Sequence, residues 1–344
     1  MLSRRAAARN LPRILLTLLA AAVIAWIAYK GRQDGTVFWI VTLNGITLAA
    51  LYFVVAAGFT LIFGLMRVVN MAHGSLYLLA GWVAFTLQQS WYGVSSNLLS
   101  GTPANLKSWI VPLAVATIVI GIAGLFMQQV FLRWNQGQDL RQALITIAIS
   151  VILADQMTAH FGGIAQSIGQ PSEWPDSVVF FGIRYGFFRL VIVVGAAIAI
   201  GALLFLVIKR TRFGMIIRAG VDDRAMVSAL GVNIQLVFAG AFFIGALLAG
   251  FAGVLGGTMI AVQPGLDSAF LLNSLIVVII GGMGSLGGAA AGALLYAFVS
   301  NFSALYLPTT ASGNCCTEYS VVVTFALLAI VLAFRPLGLL GRPA

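Results

Sequence analysis

Long apolar blocks alternate with short polar stretches along the whole 344-residue chain. An α-helix needs about 20 apolar residues to cross a bilayer. Reading the blocks against their Gly, Pro and charged interruptions predicts ten helices, near 12–30, 37–63, 73–89, 109–132, 141–161, 187–208, 235–259, 269–281, 287–306 and 319–334. No stretch is left over for a separate water-soluble domain. The expected fold is therefore all-α: one polytopic transmembrane domain over 1–344, with residues 1–36 forming an N-terminal extension and first helix. Arg4, Arg5, Arg9 and Arg13 precede the first block as they would in a signal peptide, and the alanines at 20–22 resemble its cleavage region. Apolar sequence nevertheless continues through Trp26, so a retained helix is expected.

Composition agrees with this pattern. Hydrophobic residues make up 61% of the chain and charged residues 8%, with a mean hydropathy of +1.03. A soluble domain is usually about 45–50% apolar and about 25% charged, so a soluble fold of this composition would present an apolar surface to water. The net charge of +10 does not point to nucleic acid, because the basic residues are scattered between the blocks rather than gathered in a patch. With the N-terminus in the cytoplasm, Lys30, Arg32, Lys107, Arg184 and Arg189 face outward, and the other 14 of the 19 basic residues face inward. That asymmetry favours both termini inside, on an even number of crossings. Cys315 and Cys316 are adjacent, which makes them poor disulfide partners for each other, and they lack the companions a metal site needs.

Two interruptions stand out. GLMRVVNMAHG, residues 64–74, sets Arg67, Asn70 and His73 between apolar helices, and residues 256–288 contain GGTMIAVQPGLDSAF and then GGMGSLGG. An unpaired backbone group is expensive in hydrocarbon, so non-helical backbone at membrane depth survives only where protein buries it or it lines a wet cavity. The first interruption follows an inward-running helix and the one at 260–268 an outward-running one, as an inverted repeat would produce, and both point to a path through the membrane.

Asn70, His73 and Gly74 at the first interruption either touch a solute or shape a gate; alternatively, Asn70 caps the next helix and His73 satisfies a backbone carbonyl. Gly281, Gly282, Gly284 and Ser285, with Gly287 and Gly288, mark either close helix packing or an unwound turn that exposes carbonyls. Asn273 and Ser274 on the preceding helix face solute or bridge helices. Asp155 and His160 suggest a proton relay, but at five residues apart they share a helix face poorly.

Residues 209–233 form the longest polar inner loop. Within it DDRAMVSALG reads as a short amphipathic helix: Asp222 and Asp223 suit its N-terminal end, Arg224 follows, Ala225, Met226, Ala229 and Leu230 form an apolar stripe, and Gly231 suits the C-cap. Such a helix fits a groove on a partner protein; the alternative is a helix lying on the inner leaflet. RAGVDDRAMVSALGVN resembles the cytoplasmic coupling loop of the branched-chain amino acid permeases of ABC importers, the LivH and LivM type. Residues 43–85, the run VVIIGGMGSLGGAAAGALL and the ending FRPLGLLGRP are similar to the same family, closer to its LivH branch.

The resemblance implies a bacterial inner-membrane permease subunit, not an enzyme, without a cofactor of its own. It further implies two separate ATPase subunits that grip residues 222–231, a periplasmic substrate-binding protein, and a second permease subunit of LivM type or another copy of this chain. The solutes implied are branched-chain amino acids or related small polar molecules. The residues agree with a borrowed engine, because no lysine stands in a GxxxxGK context that could hold ATP. Two other classes compete. A proton-coupled secondary transporter would use Asp155 and His160 but leaves the inner loop without a purpose. An intramembrane serine protease built on Ser285 and His73 has neither the GxSG spacing nor the right residue order.

Overall fold

The lengths of the apolar blocks translate directly into helices. The computed structural model describes residues 29, 35–66, 69–94, 103–180, 182–222, 224–306 and 317–341. Among these lie α1 (Gly35–Met66), α2 (His73–Tyr92), α3 (Leu106–Met127), α4 (Asp139–Phe161), α5 (Val194–Arg210), α6 (Arg212–Asp222), α7 (Arg224–Ala229), α8 (Ile234–Met259), α9 (Leu266–Gly281), α10 (Leu286–Tyr306) and α11 (Thr317–Phe334). A π-helical stretch, Gln128–Leu132, prolongs α3, and another, Phe188–Val193, leads into α5. Among the described residues six helices are long and apolar enough to cross a membrane, whereas α9 and the apolar part of α11 are shorter. The molecule is thus a multi-pass helical membrane protein. The helix expected over 12–30 and the cysteine pair fall outside the described residues, Tyr29 excepted.

One element departs from an all-helical reading. The strands β1 (Ser177–Phe180) and β2 (Ile183–Gly186) pair antiparallel, with Gly182 before β2 at φ +79°. Val178, Val179, Ile183 and Tyr185 are β-formers, and Ile183 and Tyr185 are buried while Arg184 between them is exposed. The Tyr185 hydroxyl donates to Asn44 Oδ1 at 2.8 Å and lies 3.2 Å from Thr47 Oγ1, which fastens the hairpin to α1. This alternation is too short to stand out beside blocks of twenty apolar residues.

The centre is built by α1 and α8, packed against α2, α3 and α10. Lipid is as apolar as leucine, so helices associate through close packing rather than by escaping water, and small residues allow that approach. Gly58 of α1 faces the Gly245 carbonyl of α8, where an added Cβ would overlap it. Gly253 of α8 lies against the Tyr77 backbone of α2 in the same way, and Gly124 of α3 receives Ala246. Trp82, buried within this centre, stacks on Phe161 of α4 with ring centroids 4.8 Å apart.

Candidate functional site

The two interruptions are brought together by the fold. After α1 ends at Met66 the chain turns back into the protein: His73, the first residue of α2, places Nε2 3.1 Å from the Val55 carbonyl oxygen. Val55 lies eleven residues before Met66, so α2 begins about 16 Å back along α1. Beyond α8, residues 260–265 turn through Ala261 at φ +92° and Gly265 at φ +86°, and α9 starts at Leu266. Gly74, the second residue of α2, is pressed against the Asp267 carbonyl so closely that a Cβ would overlap it. From this point the helices diverge. Toward one end Gly81 of α2 packs on Gly253 and Val262; toward the other, the turn after α9 sets Gly284 against Gly64 near the end of α1. Two helix N-termini, each the positive end of its dipole, therefore meet inside the protein.

Polar side chains collect there. The Asn70 side-chain oxygen accepts from the Ala72 N–H at 3.1 Å, while its Nδ2 is buried with no partner. The cap residue of α2 is Ala72 itself, so Asn70 supports the turn rather than capping the helix. His73 does meet a backbone carbonyl through Nε2, as the structural alternative holds, and its Nδ1 is buried without a partner. Ser75 Oγ lies 2.8 Å from Ser150 Oγ of α4 and 3.4 Å from Asp267 Oδ2, and the Met71 N–H donates to Thr146 Oγ1 at 3.2 Å. One turn further on, Phe270 stacks on Tyr77 at 4.1 Å between centroids and lies 5.4 Å from Tyr52, whose hydroxyl accepts from Asn273 Nδ2 at 2.8 Å.

The glycine-rich turn occupies a different place. Gly281 ends α9, about 21 Å along the helix from Asp267 at the usual rise per residue. Gly281 presses on the Gly288 backbone, and Gly282, at φ +106°, presses on Gly341 and Leu337. The N–H groups of Leu339 and Leu340 donate to the carbonyls of Ile280 and Gly281 at 2.8 and 2.9 Å, and Ser285 Oγ accepts from the Gly288 N–H at 3.1 Å. The turn and the FRPLGLLG ending thus form one packed unit, with these carbonyls turned onto protein. Ser274 is buried and donates to the Leu271 carbonyl of its own helix.

Residues 166–169 run alongside the break that follows α8. Gln166 and Val262 exchange backbone hydrogen bonds, and the Ile168 N–H donates to the Gly257 carbonyl at 3.1 Å. The buried Gln88 side chain accepts from the Gly169 N–H at 2.8 Å and donates to the carbonyls of Gly169 at 2.9 Å and Ser108 at 3.2 Å. The bridge at Val262 holds Ala261 in a conformation that L-residues seldom adopt.

The inner loop contains two helices where one short helix is expected. α6 runs from Arg212 to Asp222 and α7 from Arg224 to Ala229; Asp223 lies outside the described residues. α7 closes at Gly231, whose φ of +83° suits the C-terminal role expected of it. Met226 and Leu230 face outward, while Val227, which the expected stripe leaves out, is the buried residue. Asp155 and His160 are both exposed on α4.

Asp267, Ser75, Ser150, Thr146 and Gln88 are the site residues that pattern reading misses. An acidic residue inside an apolar run just after the QPG break is a signal for the first of them; the rest are ordinary helix residues until the fold places them.

Known proteins resemble this chain over most of its length. Residues 41–332 match the family described as branched-chain amino acid transport system / permease component. The high-affinity branched-chain amino acid transport system permease protein LivH of Escherichia coli is 31% identical over 310 residues, covering 87% of this chain and 94% of that protein. BraD of Pseudomonas aeruginosa, of the same description, is 30% identical over 308 residues with the same two coverages. LivM of Escherichia coli is 24% identical over 360 residues, covering 95% of this chain and 75% of that protein, so the likeness to LivH is the stronger.

Proposed function

Because the chain belongs to the branched-chain amino acid transport permease family, we propose that it passes small amino acids across the bacterial inner membrane beside the meeting point of α2 and α9. It is a permease subunit of an ABC importer and not an enzyme; a proton-coupled mechanism is not favoured. The observation that carries the proposed path is the buried encounter of two helix N-termini, Gly74 against Asp267, with the unpartnered Nδ2 of Asn70 and Nδ1 of His73 close by. Interrupted helices that expose backbone dipoles at membrane depth are how many transporters hold a polar solute.

In this reading Asn70, His73, Gly74 and Asn273 lie along the path. Gly281, Gly282, Gly284 and Ser285 shape the turn that closes its inner end. The whole chain is one permease domain with both termini in the cytoplasm. Residues 209–233 form the coupling loop, where Asp222, Asp223, Arg224, Ala225, Ala229, Leu230 and Gly231 meet an ATPase subunit. The exposed Leu230 and the left-handed Gly231 support α7 as the gripped element. The partners are two ATPase subunits, a periplasmic binding protein and a second permease subunit, of LivM type or a copy of this chain.

Reconstitution of the permease pair with its ATPases and binding protein in proteoliposomes tests this reading. ATP-dependent uptake of radiolabelled leucine is expected, with Gly231→Arg abolishing it while the protein stays inserted. Uptake that needs a pH gradient and no ATP would overturn the reading, as would full uptake by Gly231→Arg.

A further inference from the structure

We propose that Asp267 holds the ammonium group of the transported solute, which restricts the solute to amines and zwitterionic amino acids. The inference rests on the meeting point of α2 and α9 being the solute's path. Asp267 is 7% exposed, within the protein and at the junction of two helices. Its described side-chain partner is one hydroxyl, Ser75 Oγ at 3.4 Å, a long contact for a charge-assisted hydrogen bond. Among the described residues no Lys, Arg or His side chain pairs with it.

A buried carboxylate without a counter-charge is among the least tolerable groups in a membrane protein, and such groups mark solute or ion pathways. Its place in the first turn of α9 provides some compensation from the helix dipole. That does not use the capacity of a carboxylate for about four hydrogen bonds, and a primary ammonium brings three donors.

The surroundings fit the rest of an amino acid. Ser75 and Ser150 add hydroxyl oxygens beside the carboxylate. Phe270, Tyr77 and Tyr52 form an aromatic wall one turn along α9, suited to an aliphatic side chain and to the flank of a cation. On the other side the unpartnered Asn70 Nδ2 lies beside the first turn of α2, the positive end of that helix's dipole and the kind of place that receives a carboxylate. Urea and neutral amides lack the cation, and simple carboxylates would set a second anion against Asp267.

The purified complex, without binding protein, is heated with leucine, with isoamylamine (leucine without its carboxylate) or with isocaproate (leucine without its ammonium), each at millimolar concentration. Leucine and isoamylamine are expected to raise the melting temperature and isocaproate to leave it unchanged. Equal shifts with isocaproate and leucine, or no shift with any of the three, overturn the proposal. In proteoliposomes, Asp267→Asn is expected to lower leucine uptake about tenfold or more, with Asp267→Glu recovering part of it. Wild-type leucine uptake alongside undiminished uptake by Asp267→Asn overturns the role of Asp267 alone. A wild-type complex that takes up no leucine with ATP overturns instead the transport reading beneath it.

Discussion

α8 and the helix of residues 188–210 are both apolar along their length, yet they occupy opposite places in the molecule. In α8, 72% of the most apolar stretch is buried inside the protein, and in α1 78%; in Phe188–Arg210 the share is 17% and in α4 11%. The most apolar of the six spanning helices is Phe188–Arg210, one of the least buried. In water that order would be reversed. With lipid as solvent, a large aliphatic side chain gains little by turning inward, and what distinguishes the centre is close approach of backbones. α8 accordingly carries glycine at 240, 245, 250, 253, 256 and 257, and several of these touch backbone of another helix.

The comparison can be broken at its strongest point. Gly253→Leu drives a side chain into the Tyr77 backbone and is expected to prevent α2 and α8 from closing, leaving little monodisperse protein on size exclusion in detergent. Gly195→Leu on the peripheral helix meets open space and is expected to elute as the wild type does; equal behaviour of the two variants would break the contrast. Next in size, Trp82→Ala removes a buried ring stacked on Phe161, an expected loss of about 3–5 kcal/mol. Trp134→Ala, on a residue 79% exposed, is expected to stay within about 0.5 kcal/mol; paired denaturation curves measure both.

Gln88→Ala releases the backbone groups of Gly169 and Ser108 and is expected to cost about 1–3 kcal/mol. Faster amide exchange confined to residues 166–170 and the neighbouring break at 260–262 is the local readout. The smallest effect is expected from Ile198→Ala and Val151→Ala, outward-facing residues 67% and 63% exposed: within about 0.5 kcal/mol in lipid. A larger loss at either would mean that the face packs on a second permease subunit rather than on lipid.

Much of the architecture was legible in the pattern of blocks. Outside the inner loop, the described helices fall where apolar runs predict them, because spanning length and the demand that every backbone group be bonded leave a helix as the local solution. Both interruptions were visible for the same reason. The pairing of β1 with β2 was not, since four-residue strands carry a weak signal. The inner loop shows a similar limit: its C-terminal glycine was readable, while the division into α6 and α7 and the burial of Val227 depend on packing against neighbouring helices.

The glycine turn shows why site reading from sequence stops short. Gly281, Gly282 and Gly284 permit either exposed carbonyls or close packing, and only the return of Leu339 and Leu340 onto the Ile280 and Gly281 carbonyls distinguishes the two. Asp267 makes the same point from the other direction. Alone it is one acidic residue after a Pro-Gly break; against Gly74 and Ser75, almost two hundred residues earlier, it becomes the carboxyl group at a helix junction.

The amino-acid order by itself determined the solvent and the element type, because length of apolar run and backbone hydrogen bonding are local properties of a segment. The tertiary structure alone decided which helices are central, that α2 and α9 start face to face, and which polar atoms remain unpaired. Those outcomes depend on distances between residues far apart in the chain, and in a protein where nearly every segment is apolar, hydropathy carries almost no information about which segments are neighbours.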